Sequence, residues 1–168
     1  LDLNPQGVVP LLVDGTLRIR QSLAIIDYLD RQYPNPLLIP DDPARRAAVQ
    51  AFAQTIAGDT QPLQNLSVLN YLVSDMGHPA EMKVTWSRHW IARSLQVLEA
   101  SMQDSEPTAC CFGDAPGLAD LCLVPQMYNA ERFGVDLTVL PRLMQITEHC
   151  RSLPAFARAH PDQQADAE

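Results

Sequence analysis

The sequence lacks the features that mark membrane and secreted proteins. It contains no uninterrupted apolar run of the roughly 18 residues needed to cross a bilayer. The opening residues, LDLNPQG, have neither the basic start nor the apolar centre of a secretory signal. We therefore expect a cytoplasmic protein that does not enter the membrane.

Positive charge is also scarce. Twelve Lys and Arg residues stand against 20 Asp and Glu residues, which gives a formal net charge of −8. Nucleic-acid binding needs clustered cations to neutralise phosphates, so this composition argues against it. An acidic protein also needs a local cation to attract an anionic substrate.

The cysteines do not form a metal-binding pattern. Cys110, Cys111, Cys122 and Cys150 follow none of the spacings of zinc sites, and the histidines are not grouped as ligands. Adjacent Cys110 and Cys111 could pair only with strain. We interpret all four as reduced, mostly buried thiols and expect no metal.

The sequence does contain a clear hairpin and helix signal in VVPLLVDGTLRIRQSLAIIDYLD, residues 8–30. Asp14-Gly15 is a favoured hairpin turn, so it predicts one strand from Val8 and a second strand after the turn. The apolar period then becomes helical, and Ser22 suits the N-cap of that helix. Because a helix N-terminus also attracts carboxylates, capping and ligand binding are both open for Ser22.

A proline-rich segment, RQYPNPLLIPDDP, divides the chain. It predicts a linker over residues 34–43 between a small α/β part, residues 1–33, and an all-helical domain, residues 44–168. Asp42 and Pro43 are a helix start signal. GLADLCLVPQMYNAERFG is apolar almost all round, which predicts a central buried helix.

Four segments resemble the zeta class of glutathione transferases, the maleylacetoacetate isomerase family: LNPQGVVPLLVDG, RQSLAIIDYLD, IAGDTQPLQNLSVLNYL and GDAPGLADLCLVPQMYNAERFGVDL. QSLAII is typical of glutathione transferases in general, whereas QPLQNLSVL and NAERFGVDL together point to the zeta class. The resemblance covers nearly the whole chain. It implies glutathione transferase architecture: a thioredoxin-like α/β N-terminal domain, present in part, followed by an all-α C-terminal domain.

This resemblance also implies a glutathione site. The backbone of Val9, before a cis Pro10, would face the tripeptide, and Gln21 and Ser22 would hold its γ-glutamyl end at the helix N-terminus. Further glutathione-binding residues implied by the family come from the segment QPLQNLSVL: Gln61, Asn65, Leu66 and Ser67.

The polar members of that second set have an alternative role. Gln61, Asn65 and Ser67 lie at i, i+4 and i+6 in a leucine-rich segment that we interpret as one helix. Polar groups there must be exposed or hydrogen-bonded. They therefore form either a solvated helix face or a border of the glutathione site.

Arg132 also has two interpretations. A cation in the last turn before Gly134 complements the dipole of its helix. The resemblance instead implies contact with a carboxylate of a small anionic substrate, and both remain open.

The resemblance places the family's Ser/Cys motif, which stabilises the glutathione thiolate, ahead of Leu1. We expect the catalytic residue in such an N-terminal segment, because the hairpin alone would leave an unpaired strand edge. A truncated relative is the alternative.

The implied activity is glutathione-dependent isomerisation of maleylacetoacetate to fumarylacetoacetate by a homodimeric enzyme. Alternatives are maleylpyruvate isomerisation, conversion of small haloacids, and a non-catalytic binding module that keeps the family's surfaces.

Overall fold

The computed structural model describes residues 3–103, 106–165 and 167. A two-stranded antiparallel sheet leads into a set of helices. The strands and α-helices are β1 (Leu11–Asp14), β2 (Leu17–Arg20), α1 (Ser22–Gln32), α2 (Pro43–Gln54), α3 (Leu66–Asn70), α4 (Met82–Gln103), α5 (Leu118–Arg132), α6 (Pro141–Ser152) and α7 (Pro154–Ala159). None of the described helices is both long and apolar enough to span a membrane.

The hairpin turns one residue later than the sequence predicts. Asp14 pairs with Leu17, so the loop is Gly15-Thr16 and the expected Asp14-Gly15 turn was wrong by one position. Gly15 has φ +57°, which glycine adopts without steric cost. Strand β1 begins at Leu11 rather than at Val8, because Pro10 has no N–H to donate to the strand ladder.

Helix α1 begins without a side-chain cap. Gln21 occupies the N-cap position with φ 72°, and its carbonyl accepts the N–H of Ile25 at 3.0 Å. Ser22 is therefore the first helical residue, and the prediction that it is the N-cap was wrong. The left-handed turn at Gln21 ends the hairpin directly before the helix, which leaves the Ser22 hydroxyl exposed and outside the capping bonds.

The proline-rich segment packs against the helices. Ile39 is only 1% exposed, and the buried Asp30 carboxylate accepts the N–H groups of Leu38 at 2.6 Å and Ile39 at 3.3 Å. The Leu38 carbonyl in turn accepts the N–H of Leu118, the first residue of α5. This segment therefore joins α1 to α5. As predicted, the Asp42 side chain caps α2, with Pro43 as the first helical residue.

Helix α5 lies at the centre of the helical domain, as predicted from its apolar composition. Leu123, Met127 and Ala130 have no exposed surface. The Asp120 carboxylate fixes the start of α5 by accepting the N–H groups of Gly117 at 2.9 Å and Cys111 at 2.8 Å. A Cβ at residue 117 would lie 2.8 Å from a backbone oxygen, so only glycine fits there.

Candidate functional site

A cleft of about 930 Å³ lies between the hairpin and the helical domain. One wall is built by the end of β2 and the first turn of α1, and the other by the segment after α2 and by one face of α5. The polar residues that line the cleft are Gln6, Arg20, Gln21, Ser22, Gln54, Gln61, Asn65, Gln126 and Asn129.

The hairpin wall contains three of the residues implicated by sequence. Val9 is 91% exposed and lines the cleft beside Gln21 and Ser22. The Val9-Pro10 bond is cis, as the resemblance implied. Because Ser22 starts an 11-residue helix, the unpaired amides of its first turn lie at this wall. Such a helix end favours a carboxylate.

The opposite wall contains Gln61 and Asn65, but they do not belong to one helix. Residues Gln61–Gln64 form a 3₁₀ turn, and Asn65 has extended torsions (φ −60°, ψ 141°) before α3 begins. The prediction of a continuous helix was therefore wrong; asparagine is among the residues that favour such a position before a helix. Both side chains line the cleft, and Gln61 Nε2 donates to Asn65 Oδ1 at 3.2 Å.

The structure does not bring Leu66, Ser67 and Arg132 to the cleft wall. Leu66 is 74% exposed, and Ser67 is exposed beside it on α3. Arg132 ends α5 one turn beyond Asn129, which does line the cleft, and its guanidinium lies 6.0 Å from the ring centre of Phe133. The binding roles of these three residues remain predictions.

Arg20 is a cleft residue that the sequence analysis missed. Among the described residues that line the cleft it is the only one with a formal charge. In the sequence it is half of an exposed alternation with Arg18, which is typical of any solvated strand face. The signal that could have identified it is its position directly before Gln21 and Ser22.

A partly buried amide network was also missed. Gln64 Nε2 donates to the carbonyl of Thr60 and to Gln126 Oε1, both at 3.2 Å, and Asn129 Nδ2 donates to Gln64 Oε1 at 3.4 Å. Gln126 is 3% exposed, and its Nε2 has no hydrogen-bond partner within the described part of the chain. The spacing of Gln126 and Asn129 places both on one face of α5, but no sequence pattern links them to Gln64.

Cys122 is the one cysteine among the described residues that line the cleft. Burial, with a smaller contribution from the Asp120 carboxylate, raises the pKa of its thiol to about 11. The thiol is therefore protonated at neutral pH and is a poor nucleophile.

Cys110, Asp120 and Cys150 form a separate buried cluster whose potential ligand atoms lie within 4.8 Å of one another. Both Asp120 oxygens already accept backbone N–H groups at the start of α5. Burial and the Asp120 charge raise the pKa of the Cys110 and Cys150 thiols, which keeps them protonated. The described cysteines are all buried and unpaired, as expected.

Comparison with known proteins identifies the family of this chain. Residues 1–37 match the family described as the glutathione S-transferase N-terminal domain. The chain is 48% identical to a probable maleylacetoacetate isomerase of Vibrio cholerae, covering 98% of this chain and 76% of that protein.

Solved structures are also similar to this chain. A zeta-class maleylpyruvate isomerase has a TM-score of 0.95 at 39% identity, covering 99% of this chain and 79% of that one. A maleylacetoacetate isomerase from Anaeromyxobacter dehalogenans, with glutathione bound in its active site, has a TM-score of 0.89 at 41% identity over 98% of this chain and 76% of that one.

The fold is that of a glutathione transferase. The chain belongs to the zeta class of that family, the group that contains the maleylacetoacetate isomerases.

Proposed function

We propose that this protein catalyses the glutathione-dependent isomerisation of maleylacetoacetate to fumarylacetoacetate. The observation that carries the proposal is the convergence of Val9, Gln21, Ser22, Gln61 and Asn65 on one cleft, although they come from distant parts of the sequence. Zeta-class membership and the 48% identity to a probable maleylacetoacetate isomerase support the choice of substrate.

The residues present fit glutathione, a tripeptide with carboxylates at both ends. The exposed backbone of Val9 is available for peptide-like hydrogen bonds, and the Ser22 hydroxyl and α1 amides offer donors to a carboxylate. The Gln61 and Asn65 amides offer donors and acceptors on the facing wall. Bound glutathione supplies a thiol nucleophile that adds to the cis double bond and leaves again after rotation.

The chain contributes cations for the anionic substrate. Arg20 lines the cleft and lies on a protein whose net charge is −8, so it is the candidate for holding a carboxylate there. Arg132, one turn beyond the lining residue Asn129, is the second candidate.

We also propose a homodimer. Exposed apolar side chains on α3 and on the π-helical segment that follows it, Leu66 at 74% and Tyr71 at 59%, support contact with a second copy. Sedimentation at micromolar concentration should give twice the mass of the chain, and a clean monomer would contradict this part of the proposal.

A substrate panel tests the activity. The purified protein with glutathione is given maleylacetoacetate, maleylpyruvate or a small haloacid, and the product is followed by chromatography. The proposal expects the highest kcat/KM for maleylacetoacetate. Preference for maleylpyruvate or the haloacid would assign the protein to that activity, and glutathione binding without turnover of any of them would identify a binding module.

A further inference from the structure

The unpartnered amide of Gln126 stands out from the other buried polar groups. Four buried side-chain atoms lack a hydrogen-bond partner in the described part of the chain: Ser87 Oγ, Trp90 Nε1, Gln126 Nε2 and Thr147 Oγ1. Among these four residues, Gln126 alone lines the cleft. Leaving a buried donor unsatisfied is unfavourable, and a ligand group that accepts a hydrogen bond from Nε2 in the complex would satisfy it.

The neighbouring contacts determine which end of the Gln126 amide is unused. The Thr60 carbonyl can only accept, so the end of Gln64 that faces it must be the NH₂ group. The same NH₂ group faces Gln126, which therefore presents its oxygen to Gln64. Nε2 of Gln126 is left as the free end.

Thr60 is itself held in place. It is 1% exposed, and its hydroxyl bonds the Thr55 carbonyl at 2.7 Å and the Ser94 hydroxyl at 2.5 Å. Asn129 holds the other end of Gln64 at 3.4 Å. The orientation of the Gln126 amide is therefore set by contacts from α4, α5 and the segment between α2 and α3, without a ligand.

We propose that Gln126 Nε2 donates a hydrogen bond to the substrate's carbonyl oxygen that is conjugated with the isomerising double bond, an inference that rests on the proposed function. When a nucleophile adds to that double bond, the electron pair of the alkene moves toward this oxygen, which becomes more negative. A preoriented donor in a buried site stabilises such developing charge more than it stabilises the neutral ground state.

The amide suits this role better than a charged group. Its terminal torsion is soft enough to bring the covered Nε2 to a ligand in the cleft while Oε1 stays bonded to Gln64. Being neutral, it carries no formal charge that would attract the wrong end of the substrate. Gln64 and Asn129 are then positioning residues, because they act through Gln126.

The test replaces Gln126 by Met, which is unbranched and close in length. A second variant, Gln126→Leu, has a differently shaped apolar side chain and shows whether the effect depends on packing. Gln64 keeps its bond to the Thr60 carbonyl in either variant. We expect the kcat for maleylacetoacetate to fall roughly 100-fold, the effect typical of removing one oxyanion donor. Glutathione affinity should hardly change. The urea midpoint should fall only slightly, because each variant loses the single hydrogen bond that Gln126 Oε1 accepts from Gln64.

Thr147→Val is the matched control, since Thr147 carries another unpartnered buried atom but lies on α6 and does not line the cleft. Its kcat should equal that of the unchanged protein. An unaltered kcat in Gln126→Met, or a raised KM with kcat preserved, would overturn the inference. A fall in the urea midpoint that accounts for the lost activity in both Gln126 variants would do the same. Absence of turnover in the unchanged protein would instead refute the proposed function.

Discussion

Arg18 and Arg20 lie two positions apart on β2, yet only Arg20 lines the cleft. Both are exposed, and Arg18 pairs with Val13 in the hairpin whereas Arg20 pairs with Leu11 at its open end. Arg20 lines the cleft because it lies at the end of β2, directly before Gln21 turns the chain into α1.

The pair provides a controlled test of the proposed carboxylate contact. Arg20→Met removes the charge but keeps much of the aliphatic stem, and should cost about 1.5–3 kcal/mol in kcat/KM for maleylacetoacetate, as expected for a hydrogen bond to a charged group. Arg18→Met removes the same charge from the same strand and should have little effect. Steady-state kinetics at several salt concentrations measure kcat/KM for both variants. Equal losses of kcat/KM would mean that Arg20 acts only through the net charge of the protein.

Arg132 requires a different test, because it lies outside the cleft lining. If it meets a substrate carboxylate, Arg132→Met should lower kcat/KM for an anionic substrate by about 2–4 kcal/mol and spare a neutral electrophile. If it only complements the C-terminal end of α5, the change should cost about 0.3–1 kcal/mol of stability. Kinetics on one anionic and one neutral substrate separate the two roles, and small equal losses would remove Arg132 from the site.

Ser22 offers a test of glutathione binding that is separate from folding. Ser22→Ala should weaken glutathione binding by about 1–3 kcal/mol, the cost of leaving a charged partner short of one hydrogen bond. The melting temperature should stay constant, because Ser22 is not the cap of α1. Calorimetric titration makes the measurement, with Ser74→Ala, exposed and away from the cleft, as the control. Unchanged affinity would exclude a hydroxyl contact.

The raised pKa of Cys122 predicts a loss of stability in alkaline solution. Below about pH 9 the thiol is protonated in both the folded and unfolded states. Between its usual pKa of 9.0 and the folded value of about 11, the unfolded thiol ionises first, so rising pH favours unfolding. A shift of this size corresponds to about 2–3 kcal/mol.

Urea unfolding of the unchanged protein and of Cys122→Ala between pH 8 and pH 11 isolates this contribution. Above pH 9 the free energy of unfolding should fall more steeply with pH in the unchanged protein than in Cys122→Ala. Parallel curves would mean that Cys122 ionises normally in the folded state. Thiol alkylation at pH 7.5 should likewise be slow at Cys122.

The sequence predicts the elements better than it predicts how they meet. The central position of α5 follows from its apolar composition, and the Asp42-Pro43 start of α2 depends on local chemistry alone. The cap at Ser22 was wrong because the left-handed conformation of Gln21, which decides where the helix begins, is not specified by side-chain preference.

In the candidate site, too, the sequence predicted some residues that line the cleft and missed others. Family resemblance predicted binding roles for Val9, Gln21, Ser22, Gln61 and Asn65, and in the structure all five line one cleft. Arg20 and Gln126 were missed. The first looks like any exposed strand residue, and the second becomes notable only through its contact with Gln64, which is 62 positions away.

The central claim is that a glutathione thiol, held in this cleft, isomerises a cis double bond. The most direct measurement is the rate of conversion of maleylacetoacetate to fumarylacetoacetate by the purified protein with glutathione, with S-methylglutathione and with neither. We predict conversion only with glutathione, and inhibition when S-methylglutathione is added to it, because the methyl group blocks the nucleophile but leaves the peptide contacts. Equal rates under all three conditions would contradict the account.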